Sequence, residues 1–251
     1  MKLVMVASGK GGTGKSTTVV MLGRALSRWF RVGLLDLDIT GPNLARMAGA
    51  TDHEDCFDEY HFYPVTVDGI QVFSPSFLIP EEVAVAWSGD QRKEIIHELL
   101  LNVKWDSLDL LLCDSPPGTG DEILAVLEYV PTIDGALVVT NSTREALDDA
   151  HRLVSLLTSK RFIGKVRVLG VVLNMETMLL PDGSEVKLHS DGINAEEDLN
   201  LPVIARIPFK EPLLVEDFLG AAEKVARGVG LTLPGDTPKE DEVPSGVVVK
   251  P

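Results

Sequence analysis

Cysteine is nearly absent from this chain of 251 residues: there are two, Cys56 and Cys113, far apart and not in a C-x-x-C pair. So few thiols exclude a disulfide framework and fit a reducing cytoplasm. No apolar run reaches the ~18 residues that a membrane-spanning helix needs, so no membrane partner is expected. The apolar stretch at residues 3–7 is too short for a signal-peptide core and runs into a glycine-rich loop instead of a cleavage site. Basic residues are also scarce, with 23 Lys and Arg against 38 Asp and Glu and a net charge of −15. Such a surface repels phosphate backbones, so no nucleic-acid partner is expected. The densest basic group, Lys160, Arg161, Lys165 and Arg167, is small and reads as a solvated helix end and loop.

What the chain does have is a repeating order. Short apolar runs at residues 3–7, 32–37, 70–73, 108–113, 135–140, 166–173 and 202–207 read as strands. Between them, residues 16–29, 91–103, 121–129, 144–158 and 215–229 have the spacing of helices with one apolar face. Apolar strands alternating with amphipathic helices predict an α/β fold, a mostly parallel twisted sheet with helices on both faces. Right-handed crossovers then bring the loops after the strands to one rim. Two stretches read as irregular: the acidic, aromatic residues 51–64, and the polar residues 180–199 with turn signals at Pro181-Asp182-Gly183 and Asp191-Gly192. Residues 1–233 are expected to form a single domain, and the acidic, proline-containing residues 234–251 a disordered tail.

The segment Gly9-Lys10-Gly11-Gly12-Thr13-Gly14-Lys15-Ser16 meets the pattern G-x-x-x-x-G-K-[ST], with a strand before it and a helix after it. Its glycines let the backbone wrap phosphates and aim N–H groups inward, and the following helix adds its positive end. Gly11, Gly12, Thr13, Gly14, Lys15, Ser16 and Thr17 are therefore the expected nucleotide-binding residues. Lys15 would neutralise the β- and γ-phosphates, and the Ser16 hydroxyl would ligate Mg²⁺.

Three acids follow strands. Asp36 and Asp38 end the second run and stand on one side of it, so both could face Mg²⁺ and the attacking water, with Asp38 the better placed to position that water. Asp114 ends the apolar run 110–113 in the Walker B position, where a carboxylate holds Mg²⁺ through water. Pro117 and Gly118 lie in the next loop, with Gly118 placed to offer its N–H to the γ-phosphate; together with Asp36 and Gly41 they read as switch residues. Asn174, at the end of the run 171–173, has an amide that could read the adenine edge, with Pro208 and Phe209 as the other wall. Cys113 reads as core.

These residues resemble the Mrp branch of the MinD/ParA-type ATPases, from about residue 2 to about residue 230. The likeness is carried by residues 10–17, by Asp36-x-Asp38-x-x-Gly41-Pro42, by Asp114-Ser115-Pro116-Pro117-Gly118-Thr119-Gly120-Asp121, by Gly170-Val171-Val172-Leu173-Asn174-Met175 and by Leu201-Pro202 with Ile207-Pro208. The loop resembles the deviant Walker A motif, which implies that Lys10 reaches the partner's nucleotide across a homodimer formed on ATP binding. The resemblance implies ATP/ADP and Mg²⁺ as cofactors, slow ATP hydrolysis by Lys10, Lys15 and Asp38, and a cytoplasmic role in assembling metal centres with a metallochaperone or metalloenzyme-maturation protein.

One departure matters. Mrp-type iron–sulfur carriers have a C-x-x-C soon after the Asn-Met element, and residues 175–183 contain no cysteine. In this the chain resembles the archaeal ATPase-type HypB class, which implies nickel delivery for hydrogenase maturation beside a HypA-like metallochaperone. The alternatives are an iron–sulfur carrier of the Mrp type and a positioning or partitioning ATPase of the MinD/ParA type. The stretch His53, Asp55, Cys56, Asp58 and His61 contains residue types able to ligate metal, and reads more simply as an acidic surface loop. His97, His151 and His189 read as surface or helix residues.

Overall fold

A computed structural model describes residues 1–51, 56–79, 86–188 and 194–235. In chain order the elements are β1 (Lys2–Ala7), α1 (Lys15–Leu26), β2 (Val32–Asp36), α2 (Leu44–Ala48), β3 (Val65–Val67), β4 (Ile70–Phe73), α3 (Gly89–Asn102), β5 (Leu110–Asp114), α4 (Asp121–Tyr129), β6 (Ile133–Thr140), α5 (Arg144–Leu157), β7 (Val166–Leu179), β8 (Glu185–Lys187), α6 (Ala195–Leu199), β9 (Val203–Phe209) and α7 (Leu219–Gly228). The strands form one sheet in the order β3-β4-β2-β5-β1-β6-β7-β8, with β9 also paired to β7. All pairs are parallel except β3–β4 and β7–β8. Every residue of β2 and β5 is buried, as expected where both faces of a parallel sheet are covered. The α/β architecture expected from the sequence is the one observed.

The sheet register explains why distant motifs meet. Asp36 of β2 lies opposite Asp114 of β5, and Val6 of β1 lies opposite the same Asp114. Thr140 of β6 faces Leu173, and Asn174 faces Ile207 of β9. All strand ends that carry a predicted site residue therefore open on one rim.

Local departures from the expected elements have physical causes. Residues 180–199, read as irregular, contain a hairpin: β7 runs on to Leu179 and pairs with β8. Its turn is held by Asp182, whose Oδ1 accepts from the Ser184 N–H at 2.9 Å and from the Ser184 hydroxyl at 2.6 Å. Asn174 consequently lies inside a long strand and does not end one. The strand is broken in register at that point, where Met175 has φ 56° and the pairing to β9 shifts. A second hairpin joins β3 to β4 through Asp68 (φ 50°) and Gly69 (φ 78°), a two-residue turn with both φ positive that suits the twist of the strands. The final helix is split, a 3₁₀ turn at Val215–Phe218 leading into α7. In the aromatic stretch, Phe62 bridges to Val103 and packs on Phe73 with ring centroids 5.5 Å apart. His53, Asp55 and His189 lie outside the described residues, as does the expected tail from residue 236 onward.

Candidate nucleotide site

The loop between β1 and α1 is shaped by close packing. A Cβ on Gly9 would lie 2.3 Å from the Asp149 carbonyl carbon of α5, so only glycine lets the loop pass there. Gly14 caps α1 with φ 87°, and a Cβ there would lie 2.1 Å from Asn174 Nδ2. The first turn of α1 contains no acid, so its free N–H groups and positive end meet no competing carboxylate of their own helix.

Lys15 is buried, and its Nζ lies 2.5 Å from Asp114 Oδ1. Among the described residues the second oxygen of Asp114, which is buried, has no hydrogen-bond partner, and neither has Thr13 Oγ1. An unpartnered carboxylate oxygen in a buried site is costly unless it meets a cation or water. That oxygen and the half-buried Ser16 hydroxyl, whose hydrogen bonding draws the Asp114 carboxyl down, are oxygen donors of the kind a hard divalent cation takes, so the residues fit Mg²⁺. Burial pushes the Asp114 carboxyl up, against the opposing pull of Lys15. It pushes Asp36 well up too, reinforced by the charge of Asp114 and opposed by Lys15. One lysine is thus the counter-cation for two buried acids. The neighbouring Cys113 thiol, fully enclosed, is pushed up to about 12 and is inert as a nucleophile.

The other predicted residues fall as follows. Asp38 is half-buried on the rim, its Oδ1 accepting from the Gly41 N–H at 3.1 Å and the Thr40 hydroxyl at 3.3 Å. Asp36 departs from expectation. It does not point freely at the nucleotide, because its carboxylate accepts bonds from Asp38, Leu44 and Ser74 inside the protein. Gly118 departs likewise: its N–H is donated to the Ser8 carbonyl at 2.8 Å and is not free for a phosphate in this conformation. Pro117 beside it is exposed. Asn174 has donated one amide hydrogen to the Thr13 carbonyl at 2.9 Å, so it braces the phosphate loop whatever else it reads. Pro208 is half-buried, and Phe209 is 50% exposed at the end of β9, two residues beyond the partner of Asn174. Gly11 and Gly12 are exposed and Lys10 is half-buried, and among the described residues Lys10 has no ion-pair or hydrogen-bond partner.

Among the described residues no group of three or more His, Cys, Asp and Glu side chains could hold a metal ion. His97 packs against Tyr129 with tilted rings whose centroids are 4.4 Å apart, and Cys56 is buried against the Phe77 carbonyl. No described helix is long and apolar enough to cross a membrane. The sequence alone did not show Ser74, which belongs to no spaced motif, or the bracing of Thr13 by Asn174, which joins two motifs that lie far apart in the chain.

Residues 1–224 match the family model described as ParA: NUBPL iron-transfer P-loop NTPase. The chain is 35% identical over 250 residues to the iron-sulfur cluster carrier protein of Pyrococcus abyssi, covering 94% of this chain and 80% of that one. It is 33% identical over 249 residues to the cytosolic Fe-S cluster assembly factor CFD1 of Chaetomium globosum, covering 91% and 81%. Among solved structures it is similar to a nucleotide-binding protein of Archaeoglobus fulgidus in complex with ADP and with Co found, at TM-score 0.67 and 29% identity over 93% of this chain and 92% of that one. The cell division ATPase MinD of Pyrococcus furiosus matches with TM-score 0.65 and 23% identity over 90% and 98%, a likeness of fold.

Proposed function

The chain belongs to the ParA family of P-loop NTPases, in the group described as NUBPL iron-transfer P-loop NTPases, and from that premise we propose that it is a magnesium-dependent ATPase whose nucleotide state controls a step of iron–sulfur cluster assembly. The nickel-delivery expectation rested on the missing C-x-x-C. The relatives are named for iron–sulfur clusters, which supports an iron–sulfur role over nickel delivery; the two buried thiols set this chain apart from a carrier that ligates the cluster itself.

One observation carries the hydrolytic part: the buried Lys15–Asp114 pair with its orphaned carboxylate oxygen, set under a loop of exposed glycine amides. A triphosphate entering this loop would take over the Lys15 ammonium from Asp114 and receive the amides of residues 11–17. Mg²⁺, held by the Ser16 hydroxyl and through water by Asp114, would supply charge neutralisation on the phosphates. Asp38 then holds the attacking water by accepting its hydrogen bond, and Lys10, which has no partner among the described residues, is free to reach the nucleotide of a second copy in an ATP-bound homodimer. Asn174, Pro208 and Phe209 border the place where a base would lie.

The cluster itself is cargo. Both thiols of this chain are buried, so it offers no thiolate pair on its surface, and the ligands come from the partner metalloprotein or maturation factor. Nucleotide-dependent binding to that partner would shift the partner's affinity for its metal by linkage.

Lys15→Ala tests the site. It is expected to abolish ADP and ATP binding in titration calorimetry, a loss of at least roughly 100-fold for a buried charge-assisted contact. Retained affinity in that variant would move the nucleotide elsewhere and end this reading.

A further inference from the structure

β2 and β4 are hydrogen-bonded neighbours with Leu35 opposite Phe73, so the next residues, Asp36 and Ser74, leave the sheet side by side. Both are completely buried. The Asp36 carboxylate is gripped by three donors. The Asp38 N–H reaches Oδ1 at 3.1 Å, and the Leu44 N–H and the Ser74 hydroxyl reach Oδ2 at 3.2 and 3.0 Å. The two amides bound the loop of residues 37–43, so one carboxylate closes that loop at both ends. This is the loop that carries Asp38 and Gly41.

Among the described residues Ser74 is the only side chain that donates to Asp36, and it directly follows another strand, β4. Its own Oγ accepts from the Ser76 N–H at 3.3 Å and the Ser76 hydroxyl at 2.9 Å. With its acceptor side filled, the hydroxyl proton of Ser74 is directed at Asp36. Ser76 is exposed, so this chain of bonds runs from the surface to the acid beside Asp114.

We propose that Ser74, oriented by Ser76, is a positioning residue: it fixes Asp36 and through it the placement of Asp38 over the nucleotide. The inference rests on the hydrolytic reading above. Displacing a group in the reacting geometry by about 1 Å costs on the order of 100-fold in rate, so a clip of this kind matters even though it touches no substrate.

The test uses Ser74→Ala, Ser74→Thr and the surface change Ser76→Ala in the full chain with Mg-ATP. Ser74→Ala should lower kcat roughly tenfold while KM stays within about twofold, the signature of lost placement and not lost binding. Ser74→Thr keeps the hydroxyl and should recover most of the rate, and Ser76→Ala should cost roughly threefold without opening the core. Amide hydrogen exchange gives a readout that needs no turnover. Asp38 and Leu44 should exchange roughly tenfold faster in Ser74→Ala, with the amides of β2 and β5 unchanged. An unaltered kcat in Ser74→Ala, or faster exchange spread through β2, would overturn the inference. If the parent protein shows no hydrolysis at all, it is the hydrolytic reading that fails, and unchanged exchange at Asp38 and Leu44 would then sink the Ser74 clip on its own.

Discussion

At the residue scale the site is a set of compromises between burial and charge. Lys15 holds two enclosed acids near one cation, and Asp114 keeps an oxygen without a partner. Gly9 shows how little room the loop has. Its missing side chain lets the backbone pass the carbonyl of Asp149, and a methyl group there would sit 2.3 Å from backbone atoms that cannot rotate away. Gly9→Ala is therefore expected to shift the phosphate loop off α5, to cost about 2–3 kcal/mol in a urea titration, and to weaken ADP binding in calorimetry. A variant of parental stability and affinity would show that α5 yields. The tight turn of the loop was legible in the sequence, because the spacing that marks Lys15 and Ser16 for the proposed phosphate task also places glycine at Gly9 and Gly14, where neighbouring atoms leave no room for a side chain. Asp36 was legible as a site acid but not in its role. Its partners Ser74 and Leu44 are set by strand order and by the path of a loop, and nothing in the local sequence around Asp36 encodes them.

At the element scale, the strands that build the rim could be read because a parallel sheet buried on both faces demands continuous apolar runs. The two hairpins could not be read in the same way. β8 is fully exposed and polar, and β3 is only three residues long, so neither has the pattern of a buried strand. Asp68-Gly69 was the available signal for the β3–β4 hairpin, and its meaning depends on pairing that only the folded sheet supplies. Elements are also tied at the far end of the sheet. Arg31, just before β2, forks onto Asp109, just before β5, with Nε–Oδ2 at 3.0 Å and a second guanidinium nitrogen on Oδ1 at 2.7 Å, and its N–H adds a bond at 2.9 Å. These bonds hold the Asp109 carboxyl down from 3.8 to about 2. A depressed carboxyl stabilises the fold above its ordinary value, and that contribution fades as the pH falls from 3.8 toward about 2. The buried Asp36 acts with the opposite sign. Its raised carboxyl disfavours the fold as the pH climbs through the raised value, so it does not produce the acid limb. Asp109→Asn should accordingly flatten the fall of the urea midpoint between about pH 4 and pH 2, and an undiminished slope would assign that limb to other acids.

At the scale of the whole molecule, membership in a family named for iron transfer meets a chain with almost no usable sulfur. A cluster shared between two copies needs thiolates at the surface they share. Cys113 belongs to β5, which lies between β1 and β2 in the sheet, and its thiol is pushed up to about 12 by burial. Exposing it would mean removing a central strand. Cys56 is 3% exposed and faces the Phe77 carbonyl. Pairing two chains does not change either enclosure, because dimer contacts join surfaces and both thiols lie inside. The acidic surface of net charge −15 could hold iron loosely by its carboxylates, but such iron exchanges freely and carries no sulfide. Anaerobic treatment with ferrous iron and sulfide, followed by desalting, is therefore expected to leave the protein colourless with and without Mg-ATP. A cysteine-rich partner loaded in the same way should keep its visible absorption, and the part this chain plays should be seen as a nucleotide-dependent change in that partner's binding or release of metal. Retention of a sulfur-to-iron charge-transfer band by this chain alone, lost in Cys56→Ser, would mean that the loop over Cys56 opens and that the chain carries its cargo after all.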